Sequence, residues 1–233
     1  MPETIEIPCI GYSVVADWYQ GKSTDQIILS LTGYNSDRKR YREWWPGIAA
    51  DTGMSVLVFD YSGQGDSPFK LEDVRAAQNF LEVIIVFDWL KQKYPKAHIN
   101  VAGSSYGGFL AAQLTKYREF DKLNLRAPGI YRPADFYTLD KDLARGAPLY
   151  AYRSDEEALA NHPLLARAGK FKGNTLVMVH EYDEVVPRQT TDAYIRAFHA
   201  EEYIAKDFPH GLSSVSHDKL AVYHQKISDW LKK

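Results

Sequence analysis

The run Gly103–Gly107 contains Gly-x-Ser-x-Gly with Ser105 at its centre. An apolar strand, His98–Ala102, leads into it, and a predicted helix, Tyr106–Lys116, follows it. A tight turn from strand to helix holds its central serine in a strained conformation and exposes the hydroxyl at the carboxyl edge of the sheet. Glycines two residues to either side remove the Cβ atoms that would collide there. The pattern predicts a nucleophilic Ser105, with an ordinary strand–helix turn as the alternative.

A serine nucleophile needs two kinds of assistance. The start of the following helix is its positive end, and it offers the Tyr106 backbone N–H to a developing oxyanion. A general base must accept and return a proton near neutral pH, which favours histidine. The chain has seven histidines, so the base has several candidates.

With this motif between a strand and a helix, the chain resembles the α/β-hydrolase superfamily, which includes serine esterases and serine aminopeptidases. The likeness extends over nearly the whole length. Members of that family have a mostly parallel sheet, and their acid and histidine follow the serine in that order on later loops. The run Asp60–Ser67 is similar to the family's Asp-x-x-Gly-x-Gly-x-Ser loop. That loop is mainly structural in the family, so Asp60 and Asp66 are given no catalytic role.

The resemblance implies a second oxyanion donor on a loop after an early strand. The matching stretch is Leu31–Asn35, where Thr32 replaces the histidine that often precedes the family's glycine. The donor is a backbone N–H, so the residue after Gly33 can serve whatever its side chain. Tyr34 is therefore the second predicted oxyanion donor, and a plain glycine turn is the alternative.

The acid is expected on the loop within Val179–Pro187, which matches the family's Asp-x-x-Val-Pro pattern and selects Asp183. Its role would be to hold the imidazole tautomer and stabilise the charged ring. Glu181 and Glu184 are expected to point elsewhere if Asp183 points inward. A solvated acidic loop is the alternative.

His210 is the predicted base, because Phe208–Ser213 follows the last strand and is similar to the family's histidine loop. His217 is the next candidate and is expected to open the final helix. His180 precedes Asp183, which reverses the family order. The other histidines are expected on the surface or within helices: His98 and His162 on the surface, His199 and His224 in helices.

Short apolar runs alternate with helical stretches along the chain. Such alternation forces parallel strand pairing, and the two earliest strands are expected to add an antiparallel edge. The predicted class is α/β, with a mostly parallel sheet flanked by helices. Strands are predicted at Ile5–Ile10, Ser13–Tyr19, Ile27–Leu31, Ser55–Phe59, His98–Ala102, Leu123–Arg126, Thr175–Val179 and Tyr203–Phe208; helices at Asp37–Ala50, Glu72–Lys93, Tyr106–Lys116, Arg188–His199 and His217–Leu231.

The absence of repeats and linkers predicts one domain over residues 1–233. Residues 128–170 break the alternation and are interpreted as a short cap, or as an irregular crossover. Aromatic side chains in this segment could line an acyl or aryl pocket, or could pack the cap against the core. They are Tyr131, Phe136, Tyr137, Tyr150 and Tyr152.

Composition limits the compartment and the partners. The formal charge is −2 and no basic tract stands out, so no nucleic-acid partner is expected. Cys9 is the only cysteine, which excludes an intrachain disulfide, and it is expected to be a small apolar residue of an early strand. No leader is recognised, and the run Phe80–Leu90 is too short to cross a bilayer. A cytoplasmic protein without membrane insertion is predicted.

Together these residues predict acyl transfer to water, with carboxylic esters of small to medium acyl groups as substrates. Thioesters, small amides and peptides are alternatives on the same site. An aminopeptidase, a carbon–carbon bond hydrolase and a cofactor-free peroxidase are alternatives on the same fold, and a non-catalytic binding protein is a further one. No metal or organic cofactor is expected, because neither a phosphate-binding glycine loop nor a zinc-ligand cluster is visible.

Overall fold

The computed structural model describes residues 1–233 and has an eight-stranded sheet at its centre, in the order β1-β2-β4-β3-β5-β6-β7-β8. Strands β3 to β8 pair in parallel, whereas β1 and β2 form an antiparallel edge. This confirms the predicted fold class. The strands are β1 Glu3–Pro8, β2 Ser13–Tyr19, β3 Ser23–Leu31, β4 Met54–Phe59, β5 His98–Ser104, β6 Lys122–Arg126, β7 Asn174–Tyr182 and β8 Glu201–Pro209.

Eight α-helices surround the sheet, and short 3-10 turns lie between some of them. None of the helices combines the length and apolar character needed to span a membrane. The helices are α1 Trp45–Thr52, α2 Ala76–Lys93, α3 Tyr106–Leu114, α4 Ala147–Ser154, α5 Glu156–Ala160, α6 Leu165–Ala168, α7 Arg188–Phe198 and α8 His217–Lys232.

Helices cover both faces of the sheet, which explains why most residues of its central strands β3, β4 and β5 are buried. One face packs against α2, α3 and α7 through side chains such as Phe87, Leu110 and Tyr194. The opposite face packs against α1 and α8 through Ile48 and Trp230. Every residue of β4 is buried, as expected for a parallel strand with helices on either side.

The parallel pairing brings the predicted site residues to one edge of the sheet. Carboxyl ends of parallel strands lie together, and the loops that follow them therefore meet. Tyr34 follows the end of β3, Ser105 follows β5, Asp183 follows β7 and His210 follows β8. Strands β3 and β5 are direct neighbours, which places the Tyr34 loop beside Ser105.

Residues 37–50 are not the single helix that the sequence predicts. A 3-10 turn covers Arg38–Tyr41, and α1 begins only at Trp45. Pro46 is the reason: its ring has no N–H to donate and would collide with the carbonyl of Arg42 if the helix continued. The proline instead occupies the first turn of α1, where its missing donor costs nothing.

The start of α2 and the end of β1 also differ from prediction. Helix α2 begins at Ala76 rather than at Glu72, because Arg75 is extended and forms a β-bridge with Leu139. The first strand ends at Pro8, so Cys9 lies just beyond it, half-buried against the core.

Between β6 and β7 the chain forms α4, α5 and α6 together with two 3-10 turns, at Pro133–Tyr137 and Asp140–Asp142. The aromatic side chains of this excursion have different environments. Phe136 packs against Phe80 and Phe109 in the core, whereas Tyr137 is exposed. Some of the aromatic residues thus pack against the core and others are free to line a pocket, because this segment contacts the core on one side and the site on the other.

A buried ion-pair network connects β2 with the loops that follow β3 and β4. The Arg38 guanidinium contacts Asp17 on β2, Asp60 after β4 and the half-exposed Asp66. Asp17 and Asp60 are fully buried. Burial opposes ionisation of Asp17, but hydrogen bonds from Arg42, Thr4 and Arg38 outweigh it and lower its pKa. Asp60 is thus part of an ion-pair network that holds the fold together, as expected for a loop that is mainly structural.

Removing the central cation should destabilise the fold strongly. We expect Arg38→Met to lower the free energy of unfolding by about 3–5 kcal/mol, because it leaves the buried Asp60 without its cation and leaves Asp17 with Arg42 alone. Lys39→Met is the matched control, since the exposed Lys39 pairs only with the half-exposed Asp66, and its loss should cost less than about 1 kcal/mol. Urea unfolding of both variants measures the difference, and equal losses would contradict the network's importance.

Candidate active site

Ser105 occupies the turn between β5 and α3 with φ 52° and ψ −110°, a conformation that non-glycine residues rarely adopt. The turn is tight because neither flanking glycine has room for a side chain. A Cβ on Gly103 would lie 2.4 Å from the Gly107 carbonyl oxygen, and one on Gly107 would lie 2.2 Å from the Leu31 carbonyl oxygen. The Gly-x-Ser-x-Gly spacing therefore reflects close packing between β5, α3 and the end of β3.

The structure brings Ser105, His210 and Asp183 together in one hydrogen-bonded chain. His210 Nε2 lies 2.9 Å from Ser105 Oγ, and His210 Nδ1 lies 2.8 Å from Asp183 Oδ2. An ionised carboxylate can only accept, so Nδ1 must carry the proton that it donates. Nε2 of the neutral ring is then an acceptor for the Ser105 hydroxyl. This arrangement can take the proton from a serine as it attacks a carbonyl.

The Asp183 carboxylate is held in a polar cage within a buried site. Burial raises the pKa of this carboxyl, but the hydrogen bond and charge of His210 and the N–H groups of Val186 and Val185 outweigh it and lower the pKa below its usual value. Asp183 Oδ1 accepts both N–H groups, at 2.9 Å from Val185 and 2.7 Å from Val186. The carboxylate is therefore ionised and fixed in the orientation that His210 requires.

Two backbone N–H groups lie near Ser105. Tyr106 is the first residue of α3, where a backbone N–H has no partner within the helix. Tyr34 donates its N–H to no acceptor in the chain, and a Cβ on the adjacent Gly33 would lie 3.8 Å from Ser105 Cβ. The Tyr34 side chain is directed elsewhere, since its hydroxyl donates to Asp140 at 2.8 Å.

Two cavities meet at Ser105 and His210. The first, of about 740 Å³, is mostly apolar and extends beneath α4. The second, of about 600 Å³, is a groove of mixed polarity between the residue-38 turn and the start of α8. Tyr34 borders both cavities. The first is also lined by Tyr131, Leu149, Tyr150, Arg145, Arg153 and Glu184; the second also by Trp44, Arg126, Lys39, Arg40, Leu212 and His217.

The sequence profile of the alpha/beta hydrolase fold matches residues 26–150, more than half of the chain. The chain belongs to this family. No curated protein gives a match. Solved structures share the fold of this α/β-hydrolase at low sequence identity.

One similar structure is the esterase Pf2001 of Pyrococcus furiosus, at 20% identity and a TM-score of 0.72, covering 100% of this chain and 92% of the esterase. Another is Est1E of Butyrivibrio proteoclasticus bound to ferulic acid, at 16% identity and a TM-score of 0.75, with 97% of each chain covered. An alpha-beta serine hydrolase homologue from Coxiella burnetii has 14% identity and a TM-score of 0.72, covering 98% of this chain and 97% of that one.

The remaining histidines of this hydrolase are distributed mostly as predicted. His217 opens α8, and His98 is exposed. The prediction for His162 is wrong: it is buried, where its ring contacts the Tyr131 carbonyl oxygen and accepts from the Leu164 N–H. His180 is also buried, and its desolvation lowers its pKa to about 3, so it stays neutral. His199 caps the end of α7, and His224 lies within α8.

Several charged residues at the cavities were not recognised in the sequence. Arg145 and Arg153 come from the irregular segment, and Glu184 is the neighbour of Asp183 that was expected to point away. Glu184 Oε2 accepts the His210 N–H at 3.2 Å and so supports the histidine loop. No motif marks these residues. Nowhere in the chain do three histidine, cysteine or acidic side chains form a group that could hold a metal ion.

The backbone strain at Ser105 can be measured directly. We expect Ser105→Gly to be more stable than Ser105→Ala by about 1–2 kcal/mol, because glycine adopts a positive φ without the penalty that alanine carries. This order is the reverse of the usual one, in which alanine is the more stable residue. Urea unfolding of the two variants gives the comparison, and an equal or more stable Ser105→Ala would contradict the strained turn.

Proposed function

We propose that this protein is a serine hydrolase that cleaves carboxylic ester bonds through an acyl-enzyme. The hydrogen-bonded chain from Ser105 through His210 to Asp183 is the observation that carries the proposal. Membership in the α/β-hydrolase family supports it, and one of the structurally similar proteins, Pf2001 of Pyrococcus furiosus, is named as an esterase.

In the first half-reaction, Ser105 Oγ attacks the ester carbonyl carbon while His210 Nε2 removes its proton. The oxyanion that forms is stabilised by the backbone N–H groups of Tyr34 and Tyr106. Asp183 stabilises the imidazolium and keeps the ring in the required tautomer. The tetrahedral intermediate collapses, His210 gives its proton to the departing alkoxide, and the alcohol leaves.

In the second half-reaction, water attacks the Ser105 acyl ester. His210 removes a proton from the water, and the same two N–H groups stabilise the second oxyanion. Collapse breaks the acyl bond to Oγ, and His210 returns the proton to Ser105. The products are a carboxylic acid and an alcohol, and every proton is carried by a residue of this chain or by water.

The two cavities that meet at Ser105 suit the two halves of a small or medium ester. The larger, apolar cavity has Tyr131, Leu149 and Tyr150 among its walls, which suits carbon chains or rings. We further propose that residues 128–170 act as a cap on a single domain, because they provide most of that cavity's side chains. A thioester could be cleaved by the same steps, since its carbonyl presents the same electrophile.

The direct test is hydrolysis of p-nitrophenyl acetate and butyrate by the wild-type protein and by three variants. We expect Ser105→Ala and His210→Ala to lose about 10⁴-fold or more in kcat, because both groups act as one unit. His217→Ala is the matched control, since His217 lines the groove but lies outside the hydrogen-bonded chain, and it should keep most of the activity. If His210→Ala keeps full activity, the assignment of the base is wrong.

Asp183→Asn keeps the size of the side chain but removes its charge. We expect a loss in kcat on the order of 10⁴-fold, because an amide can stabilise the wrong imidazole tautomer and cannot stabilise the imidazolium. The KM should change little, because the carboxylate does not contact the substrate. Steady-state kinetics with p-nitrophenyl butyrate measures both values, and an unchanged kcat would contradict the role of Asp183.

Tyr34→Phe separates the backbone donor from the side chain. The variant loses the hydroxyl contact with Asp140 but keeps the N–H. Losing an oxyanion donor costs about 10²–10³-fold in kcat. We therefore expect a loss well below about 10²-fold for Tyr34→Phe, measured with the same ester, and a loss within that range would assign catalysis to the side chain.

A further inference from the structure

Arg153 is a buried cation in the wall of the larger cavity and has no carboxylate partner. Its fractional exposure is 3%, and no aspartate or glutamate oxygen lies within 4.0 Å of its guanidinium nitrogens. A charge removed from water is costly unless it is paired and hydrogen-bonded. An unpaired guanidinium in a cavity beside a nucleophile is therefore a candidate for binding an anion.

The side chain is fixed in place by neutral groups. Its Nε donates to the Ile130 carbonyl oxygen and its Nη1 to the Val185 carbonyl oxygen, each at 3.1 Å. The Tyr131 ring lies 5.0 Å from the guanidinium carbon. These contacts orient the guanidinium without neutralising its charge, and Nη2 donates to no acceptor in the chain.

The free nitrogen lies close to the nucleophile's backbone. A Cβ built on Gly129 would lie 2.9 Å from Arg153 Nη2 and 3.6 Å from the Ser105 carbonyl oxygen. Only the width of one small residue therefore separates the guanidinium from the turn that carries Ser105. A substrate group a few bonds from the reacting carbonyl can reach it.

The other guanidinium of this cavity is already engaged. Arg145 pairs with Asp140 and stacks over the Tyr34 ring at 3.7 Å. Glu184 also lines this cavity, but it accepts the His210 N–H and forms no ion pair with Arg153. Arg153 consequently supplies a positive charge without an ion-pair partner, and the shape of its fork suits a carboxylate.

We infer that Arg153 determines substrate specificity: the protein prefers esters that carry a carboxylate a few bonds from the ester carbon. The inference rests on the proposed esterase function and adds its substrate class. The carboxylate can belong to the acyl half, as in a dicarboxylic acid monoester, or to the alcohol half, as in the ester of a hydroxy acid. Arg153 contributes by binding and positioning the substrate, not by reacting.

The test compares kcat/KM for matched esters. Hydrolysis is measured as the release of protons at constant pH. Monomethyl glutarate carries the carboxylate in its acyl half and 4-acetoxybutanoate in its alcohol half. Methyl pentanoate and butyl acetate are their neutral counterparts, in which a methyl group replaces the carboxylate and a single ester bond remains. We expect wild-type protein to prefer one charged ester over its neutral counterpart by about 10- to 100-fold, the range for a charge-assisted hydrogen bond. The preferred member shows which half occupies the cavity.

Three variants separate recognition from a merely structural role. Arg153→Gln should remove the preference by lowering kcat/KM for the charged ester far more than for its neutral counterpart, and Arg153→Lys should retain part of the preference. Gly129→Ala keeps the charge but should reduce the preference, because its Cβ would displace Nη2. Arg132→Gln is the control: this cation of the same segment pairs with Asp135 and does not line the cavity, so the preference should persist.

The outcomes distinguish the two proposals. If the neutral esters are cleaved but the charged ones are not preferred, the inference about Arg153 is overturned and the esterase function stands. The same holds if Arg153→Gln lowers both rates equally, which would make Arg153 structural. If no ester of either kind is cleaved, the esterase function fails and the inference falls with it.

Discussion

The candidate site depends on the close contact between the start of α3 and the end of β3. Gly107 packs against the Leu31 carbonyl oxygen at a distance that leaves no room for a side chain. Ser105, two residues before Gly107, has a positive φ of 52°. The contact also places the loop with Tyr34 beside the same serine. The proposed nucleophile and both candidate oxyanion donors thus lie around one close packing contact.

The sheet supplies the remaining geometry. Strands β7 and β8 are parallel neighbours, so their carboxyl ends bring Asp183 and His210 to one place although 27 residues separate them in the chain. The distance from His210 to Ser105 then depends on how far β8 lies from β5 across β6 and β7. The loops after β7 and β8 therefore determine whether Asp183, His210 and Ser105 come within hydrogen-bonding distance of one another.

Much of this could be predicted from the sequence, because the signals are local. The turn at Ser105, the loops with Asp183 and His210, and the alternation of strands and helices are each contained in a short run of residues. The prediction failed where a distant contact or a single residue overrides the pattern. Pro46 divides the helix expected at 37–50, and His162 is buried by contact with Tyr131, which no local pattern reveals. The pairing of Arg38 with Asp17, and the lack of any such partner for Arg153, likewise become visible only when the chain is folded.

The most direct test of the central claim is where a fluorophosphonate attaches. This reagent reacts with an activated serine hydroxyl, and peptide mapping by mass spectrometry identifies the modified residue. We predict a single adduct per chain, on Ser105, which disappears in Ser105→Ala and forms far more slowly in His210→Ala. A wild-type protein that acquires no adduct, or acquires it on another serine, would contradict the assignment of Ser105 as an activated nucleophile.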